Sequence, residues 1–230
     1  MHIVFHGHAC FEIKTTAGNI LIDPFLSGNP QADVKPEDLI DVAAVLVTHG
    51  HRDHLGDALS IARTTGATII STAELAAYCR KQGASTHAMH IGGKFRFPFG
   101  TVKLTPAWHG SGIETENGMI YGGPACGFLL QLEGRWLYYA GDTGLFSDME
   151  LIGRRHPLEV AMLPIGDNYV MGPDDAVYAA QLIRAKYVIP MHYNTFPVIE
   201  QDVGEFLTML QRKAPESRGV ALVPGEFLEV

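Results

Sequence analysis

The sequence predicts an α/β protein built as a sandwich: two mixed sheets face to face, with helices on the outer faces. Three observations carry that reading. Short β-branched runs joined by tight turns fill the first part of the chain. Apolar strand segments alternate with helical segments through the remainder. The 230 residues are 47% hydrophobic and 18% charged, enough to bury one core, and no low-complexity linker divides them. A single domain spanning residues 1–230 is expected.

The elements follow in order. His2–His6, Cys10–Lys14 and Asn19–Ile22 read as strands, the last two joined by a hairpin turn at Thr15-Thr16-Ala17-Gly18. Asp23-Pro24 closes this unit, because proline cannot extend a ladder and its predecessor avoids helix. Asp41–Thr48 is an apolar, β-branched run suited to a strand buried on both faces. A helix over Leu55–Thr65, a strand at Thr68–Ile70 and a helix over Ala73–Gln82 come next. Short strands are expected at Thr86–His90 and Lys94–Phe97, then longer ones at Thr101–Trp108, Ala125–Leu132 and Arg135–Tyr139. Glu133-Gly134 is the tight turn between the last two. The remainder reads as strand Glu159–Leu163, helix Pro173–Ala185, strand Tyr187–Ile189, helix Val198–Lys213, and strands near Val220–Val223 and Phe227–Val230. Pro173 with Asp174 and Asp175 makes a favourable helix start.

Composition narrows the function. Seventeen basic residues against 25 acidic ones give a net charge of −8, which argues against a general nucleic-acid binder. The longest apolar stretch, Val42–Val47, is far too short to span a bilayer, so no membrane partner is expected. No basic segment followed by an apolar one opens the chain, so no signal peptide is expected. Cys10, Cys79 and Cys126 form no CxxC pair and are odd in number, which favours buried thiols and a cytoplasmic, reducing location. No GxSxG or P-loop pattern supports serine hydrolysis or nucleotide binding.

The eleven histidines are the unusual feature, because they are not scattered. Thr48-His49-Gly50-His51-Arg52-Asp53-His54 follows directly on the most apolar strand. In an extended segment residues two apart point the same way, so His49 and His51 can converge. A turn into a helix then brings Asp53 and His54 to a neighbouring point. Singly, Asp53 could be a helix cap and His54 a first-turn residue. Together, imidazoles and a carboxylate at this spacing are metal-ligand chemistry. His109, Asp142 and His192 each follow another strand, at the carboxyl ends where α/β proteins bind ligands. Each has an ordinary alternative: a surface loop, a turn, an interior histidine. Their number favours ligation, enough for two metal ions.

The motif His49-x-His51-x-Asp53-His54, with His109, Asp142 and His192 in that order, resembles the metallo-β-lactamase superfamily. His6-Gly7-His8-Ala9-Cys10-Phe11, Leu21-Ile22-Asp23-Pro24 and Pro190–Pro197 are similar to the poorly characterised metal-dependent hydrolases related to L-ascorbate-6-phosphate lactonases. The resemblance implies an αββα fold, with His49, His51 and His109 on one ion. It places Asp53, His54 and His192 on the other, with Asp142 bridging. Two divalent ions, zinc first with manganese, iron or nickel as alternatives, would then share a hydroxide that attacks an ester or lactone carbonyl of a small molecule. Asp142 and Asp53 are the candidate catalytic carboxylates, Asp53 by passing a proton to the leaving group. A small-substrate phosphodiesterase and a non-catalytic metal scaffold are the alternatives. Relatives also imply a possible homo-oligomer.

True β-lactamases of this superfamily usually carry cysteine at the position of Asp142, so antibiotic hydrolysis is disfavoured. Around the ligands, Asp23 is expected to hold a ligand histidine from behind. His8 is expected to do the same or to touch substrate, with His6 a weaker version. Asn168, Tyr169, Asn194 and Thr195 are candidates for lining the substrate site. The glycine-rich segment Gly110–Gly123, with Glu114 and Glu116, is a candidate flap. His2, His87, His90 and His156 read as ordinary histidines.

Overall fold

The computed structural model describes residues Met1–Val230. The chain begins with strands β1 (His2–Phe5), β2 (Phe11–Thr15), β3 (Gly18–Ile22) and β4 (Val42–Leu46). Helices α1 (Arg52–Leu55) and α2 (Ala58–Thr65), strand β5 (Thr68–Thr72), helix α3 (Ala73–Lys81) and strand β6 (Thr86–Met89) complete the first half. Strands β7 (Lys94–Phe97) and β8 (Gly100–Pro106) then lead to a ribbon of β9 (Gly112–Thr115) and β10 (Gly118–Tyr121). The second half continues with β11 (Cys126–Leu132), β12 (Arg135–Tyr139), α4 (Met149–Arg155), β13 (Leu158–Pro164) and α5 (Pro173–Ile183). It ends with β14 (Tyr187–Met191), α6 (Val203–Lys213), β15 (Arg218–Gly219) and β16 (Phe227–Glu229).

Two seven-stranded sheets result. The first runs β16-β1-β2-β3-β4-β5-β6 and the second β15-β14-β13-β12-β11-β8-β7. Both are mixed: β1–β3 pair antiparallel and β3–β6 parallel, while β7, β8, β11 and β12 pair antiparallel and β12–β15 parallel. Alternation along single strands shows why the sheets stack. Ile20 and Ile22 enter one buried cluster with Phe128 and Leu130 of the facing sheet. Leu21, between the isoleucines, turns to the opposite face and packs with Ile61 and Leu75 of α2 and α3. Leu129 likewise turns away from Phe128 and Leu130, towards Val177 and Phe206 of α5 and α6. Since strand residues alternate between faces, each sheet is buried on both sides and the layers read helix, sheet, sheet, helix. That is the expected sandwich.

The differences from the sequence reading have local causes. The helix expected over Leu55–Thr65 is two helices, because Gly56 breaks it at φ +38°. A side chain there would collide with the Pro24 carbonyl oxygen, so the chain turns tightly under the early loop. The helix expected over Val198–Lys213 starts later, where the Asp202 carboxylate caps the Glu205 N–H at 3.0 Å. A 3₁₀ turn at Pro197–Ile199 precedes it. The last parallel strand is Arg218–Gly219 rather than Val220–Val223. Helix α4 has no counterpart in the sequence reading. Gly110–Gly123 contains an antiparallel ribbon, pinned at its base where the Gly50 N–H donates to Ser111 Oγ (3.0 Å) and Ile113 enters the core. All three cysteines are buried and unpaired, as the composition suggested. No helix is long and apolar enough to cross a membrane.

Candidate metal centre

Four strand ends of the parallel and central ladders meet at one edge of the sandwich. Thr48 to His54 runs off β4 into α1, His109 follows β8, Asp142 follows β12, and His192 follows β14. Backbone bonds lock these exits together. The Cys126 N–H donates to the Thr48 carbonyl at 3.1 Å, tying one sheet to the other beside the motif. The His192 N–H donates to the His8 carbonyl at 2.7 Å, bringing in the β1–β2 turn.

The side chains gather into groups whose donor atoms all lie within 4.8 Å of one another: His49, His51 and His109; His8, Asp53, His54 and His192; and, linking them, His49, His54 and Asp142. His49 Nε2 lies 3.0 Å from His51 Nδ1, so the two imidazoles converge as the strand spacing predicts. Asp142 faces both sides: Oδ1 is 3.2 Å from His54 Nε2, while Oδ2 is 3.0 Å from His192 Nε2 and 3.5 Å from His109 Nε2. Asp53 Oδ2 lies 3.1 Å from His8 Nε2, 3.6 Å from His192 Nε2 and 3.9 Å from His54 Nε2. The side chains of Asp53 (29% exposed) and His109 (13%) reach solvent, whereas those of His54 and Asp142 are buried (0% and 2%). The open approach is therefore from the Asp53 and His109 side.

This donor set fits a divalent cation. His54 Nε2, His192 Nε2 and Asp142 Oδ1 are buried without a hydrogen-bond partner, although they stand close enough to attract one another electrostatically. Their alignment is wrong for hydrogen bonds, and buried polar atoms left so require another partner. Imidazole nitrogen and carboxylate oxygen are the donors that zinc and other first-row divalent ions take.

Charge divides the centre. Burial pushes His49 well below the ordinary histidine value, and burial likewise lowers His51 and His109. Those rings present neutral nitrogens. Burial also acts against charge on His54, but the carboxylates of Asp142, Asp23 and Asp53 outweigh it and hold the ring well above its usual value. His192 rises to about 9, its burial outweighed chiefly by Asp142. Burial would lift Asp142 and Asp53, yet the surrounding histidines, His192 and His54 foremost, hold both carboxyls below the usual range. His8 is lowered to about 4, by burial and then by His192.

Behind these groups lies a supporting layer. Asp23 Oδ2 is 2.8 Å from His54 Nδ1 and accepts from Thr48 Oγ1 (2.7 Å) and the Tyr139 hydroxyl (2.9 Å). Thr48 Oγ1 in turn lies 2.9 Å from His49 Nδ1. His8 Nδ1 stands 2.8 Å from Thr195 Oγ1. Asn168 and Tyr169 are exposed, and the Asn168 N–H bonds only to neighbouring Asp167. Asn194 is exposed and spends its side-chain oxygen on the Gln201 N–H (2.7 Å), shaping its own loop. His6 points away to Asp33 and Glu12. Thr48, Tyr139 and Gln31 join this layer without a role predicted from sequence. Tyr139 ends the strand that precedes Asp142 and Thr48 directly precedes His49 after β4, which is the signal that could have found them. Gln31 lies in a loop with none.

Residues 18–193 match the β-lactamase superfamily domain. The chain is 62% identical to a UPF0173 metal-dependent hydrolase of Desulfitobacterium hafniense, over 99% of this chain and 98% of the relative. It is 51% identical to a further UPF0173 metal-dependent hydrolase, from a Geobacillus species, over 100% of both. The solved structure of a novel metallo hydrolase from the hyperthermophilic archaeon Ignicoccus hospitalis is similar with a TM-score of 0.90. Its identity is 35%, covering 99% of this chain and 97% of that one.

Proposed function

The chain belongs to the metallo-β-lactamase superfamily of metal-dependent hydrolases, and from that premise we propose that it is a binuclear enzyme cleaving an ester- or lactone-type carbonyl of a small molecule. His49, His51 and His109 would hold one divalent ion and Asp53, His54 and His192 the other, with Asp142 shared between them. The carrying observation is the buried Asp142 carboxylate, whose Oδ1 faces His54, whose Oδ2 faces His192 of one group and His109 of the other, and whose Oδ1 lacks a hydrogen bond. Zinc suits these donors, with manganese, iron and nickel as alternatives. Two divalent ions so held would polarise a carbonyl or phosphoryl oxygen and lower the pKa of water towards about 7.

The protein's own residues set up that chemistry. Asp23 accepts the His54 Nδ1 proton, which leaves Nε2 as the donor atom. Thr48 Oγ1 donates to Asp23 and so accepts from His49 Nδ1, freeing His49 Nε2 in the same way. Asp53 is the carboxylate within reach of solvent, which supports giving it the passage of a proton to the leaving group. Buried free thiols support a reducing, cytoplasmic setting.

The test is turnover by metal-loaded protein against a panel of lactones, esters and phosphodiesters. The reading expects the highest kcat/KM on a lactone or ester. Turnover confined to phosphodiesters overturns the carbonyl assignment, and a blank panel with full metal content overturns catalysis in favour of a binding scaffold.

A further inference from the structure

We propose that His8, from the β1–β2 turn, is an additional ligand of the ion at Asp53, His54 and His192, coordinating through Nε2. The inference rests on the metal position proposed at Asp53, His54 and His192 and extends it by one donor.

A backbone N–H fixes the direction of the hydrogen bonds around His8. The His8 N–H donates to Gln31 Oε1 at 3.2 Å, which fixes that atom as the amide oxygen, and Gln31 Nε2 faces the Tyr193 carbonyl. Thr195 Oγ1 lies 3.0 Å from the same Gln31 oxygen and can only donate to it. With its one proton spent there, the Thr195 hydroxyl accepts from His8, so the ring proton sits on Nδ1 at 2.8 Å. In the neutral ring His8 Nε2 is then a bare lone pair. It lies 3.1 Å from Asp53 Oδ2, another acceptor. Two acceptors at that distance repel unless a positive charge lies between them or beside both.

The remaining geometry agrees. Ligands about 2.0–2.1 Å from a tetrahedral zinc stand roughly 3.4 Å apart. The separations from Asp53 Oδ2 to His8, His192 and His54 nitrogens are 3.1, 3.6 and 3.9 Å. The His8 ring packs 4.0 Å from that of His192 and is fully buried, so it serves no solvent contact. Its backbone takes φ +56°, a left-handed conformation that a non-glycine residue adopts only when its surroundings impose it. With His8, the second position has four donor groups, His8, Asp53, His54 and His192, whose donor atoms all lie within 4.8 Å of one another.

Zinc titration of metal-free, full-length protein against a chromophoric chelator tests this. The wild type takes two zinc ions in the expected result. His8→Ala keeps one binding phase and weakens the other at least tenfold. His8→Gln still offers Asp53 an amide N–H but no imidazole lone pair, and it fails to restore the lost phase. Wild-type affinity in His8→Ala, or full rescue in His8→Gln, overturns ligation and leaves a hydrogen bond to Asp53. A crystal structure of the zinc-loaded wild type serves if the variants do not fold: zinc about 2.0–2.1 Å from His8 Nε2 is expected, and a separation beyond 3 Å overturns the proposal. One ion seated on His8, Asp53, His54 and His192 keeps this inference and ends the binuclear reading. An ion on His49, His51 and His109 alone, or no ion, overturns both.

Discussion

Asp23 Oδ2 lies 2.8 Å from His54 Nδ1, and neither side chain has any solvent exposure. The aspartate directly follows the second of two hairpin strands, while the histidine lies in helix α1, 31 residues later. Their contact sets the orientation of the ring and which nitrogen it offers to the centre. Through Thr48, the same carboxylate reaches His49, so one buried acid steadies a histidine of each proposed ion.

Asp23→Asn keeps the shape and removes the charge. Outer carboxylate partners of ligand histidines are typically worth about 10–100-fold in metal affinity, and a loss of that size is expected for zinc, measured by chelator competition on protein whose thermal melt shows it folded. Unchanged affinity contradicts the role assigned to Asp23.

Asp142→Ala removes the acid lying between the two histidine groups. Metal content and turnover are expected to fall together, by more than the roughly 10–100-fold of an outer partner. Metal analysis and steady-state rates on the same preparation check this, and retained turnover with both ions bound contradicts the bridging assignment.

Gly141, just before Asp142, has φ +65°, and a side chain there would stand 2.8 Å from the Cys126 carbonyl oxygen and 3.0 Å from Thr48 Cγ2. Gly141→Ala therefore combines strain with a collision at the junction of the two sheets. A loss of about 1 kcal/mol or more is expected, read by urea unfolding. Equal or higher stability contradicts the requirement for glycine.

A buried ion-pair group away from the centre predicts a pH dependence of stability. His6 Nδ1 is 2.8 Å from Asp33 Oδ1 and its Nε2 is 3.5 Å from Glu12 Oε2, which Lys14 also approaches at 3.2 Å. Burial would lower His6, but Glu12 and Asp33 outweigh it and raise its pKa above 6.5. Burial would raise Glu12, but His6 and Lys14 outweigh it and lower its pKa below 4.5. The His6 contribution is full below pH 6.5 and fades as pH rises through the raised folded value; that of Glu12 is full above 4.5 and fades as pH falls through the lowered one. The stability difference between wild type and His6→Gln is thus expected to be largest between pH 4.5 and 6.5 and to shrink at alkaline pH. Thermal melts across the range check this, and a difference that grows with pH contradicts it.

What the sequence disclosed and what it hid divide by range along the chain. His49, His51, Asp53 and His54 are legible because a strand end followed by a short helix crowds them locally, and periodicity alone predicts that the first two converge. His109, Asp142 and His192 are legible as strand-end residues, and the fold brings them to the same edge. The contacts that orient them are long-range. His8 meets Thr195 across 187 positions and Tyr139 meets Asp23 across 116, and no local pattern encodes either pair. Asn168 and Asn194 show the converse, since polar loop residues near strand ends can be spent on their own turns. Helix α4 is not legible in the sequence because seven residues with a glycine inside carry too little periodic signal.

The most direct test of the central claim is metal content by plasma mass spectrometry, on protein purified without chelators or a histidine tag. The binuclear account predicts about two ions per chain. One ion per chain, or none after reconstitution with zinc, manganese and iron, contradicts it.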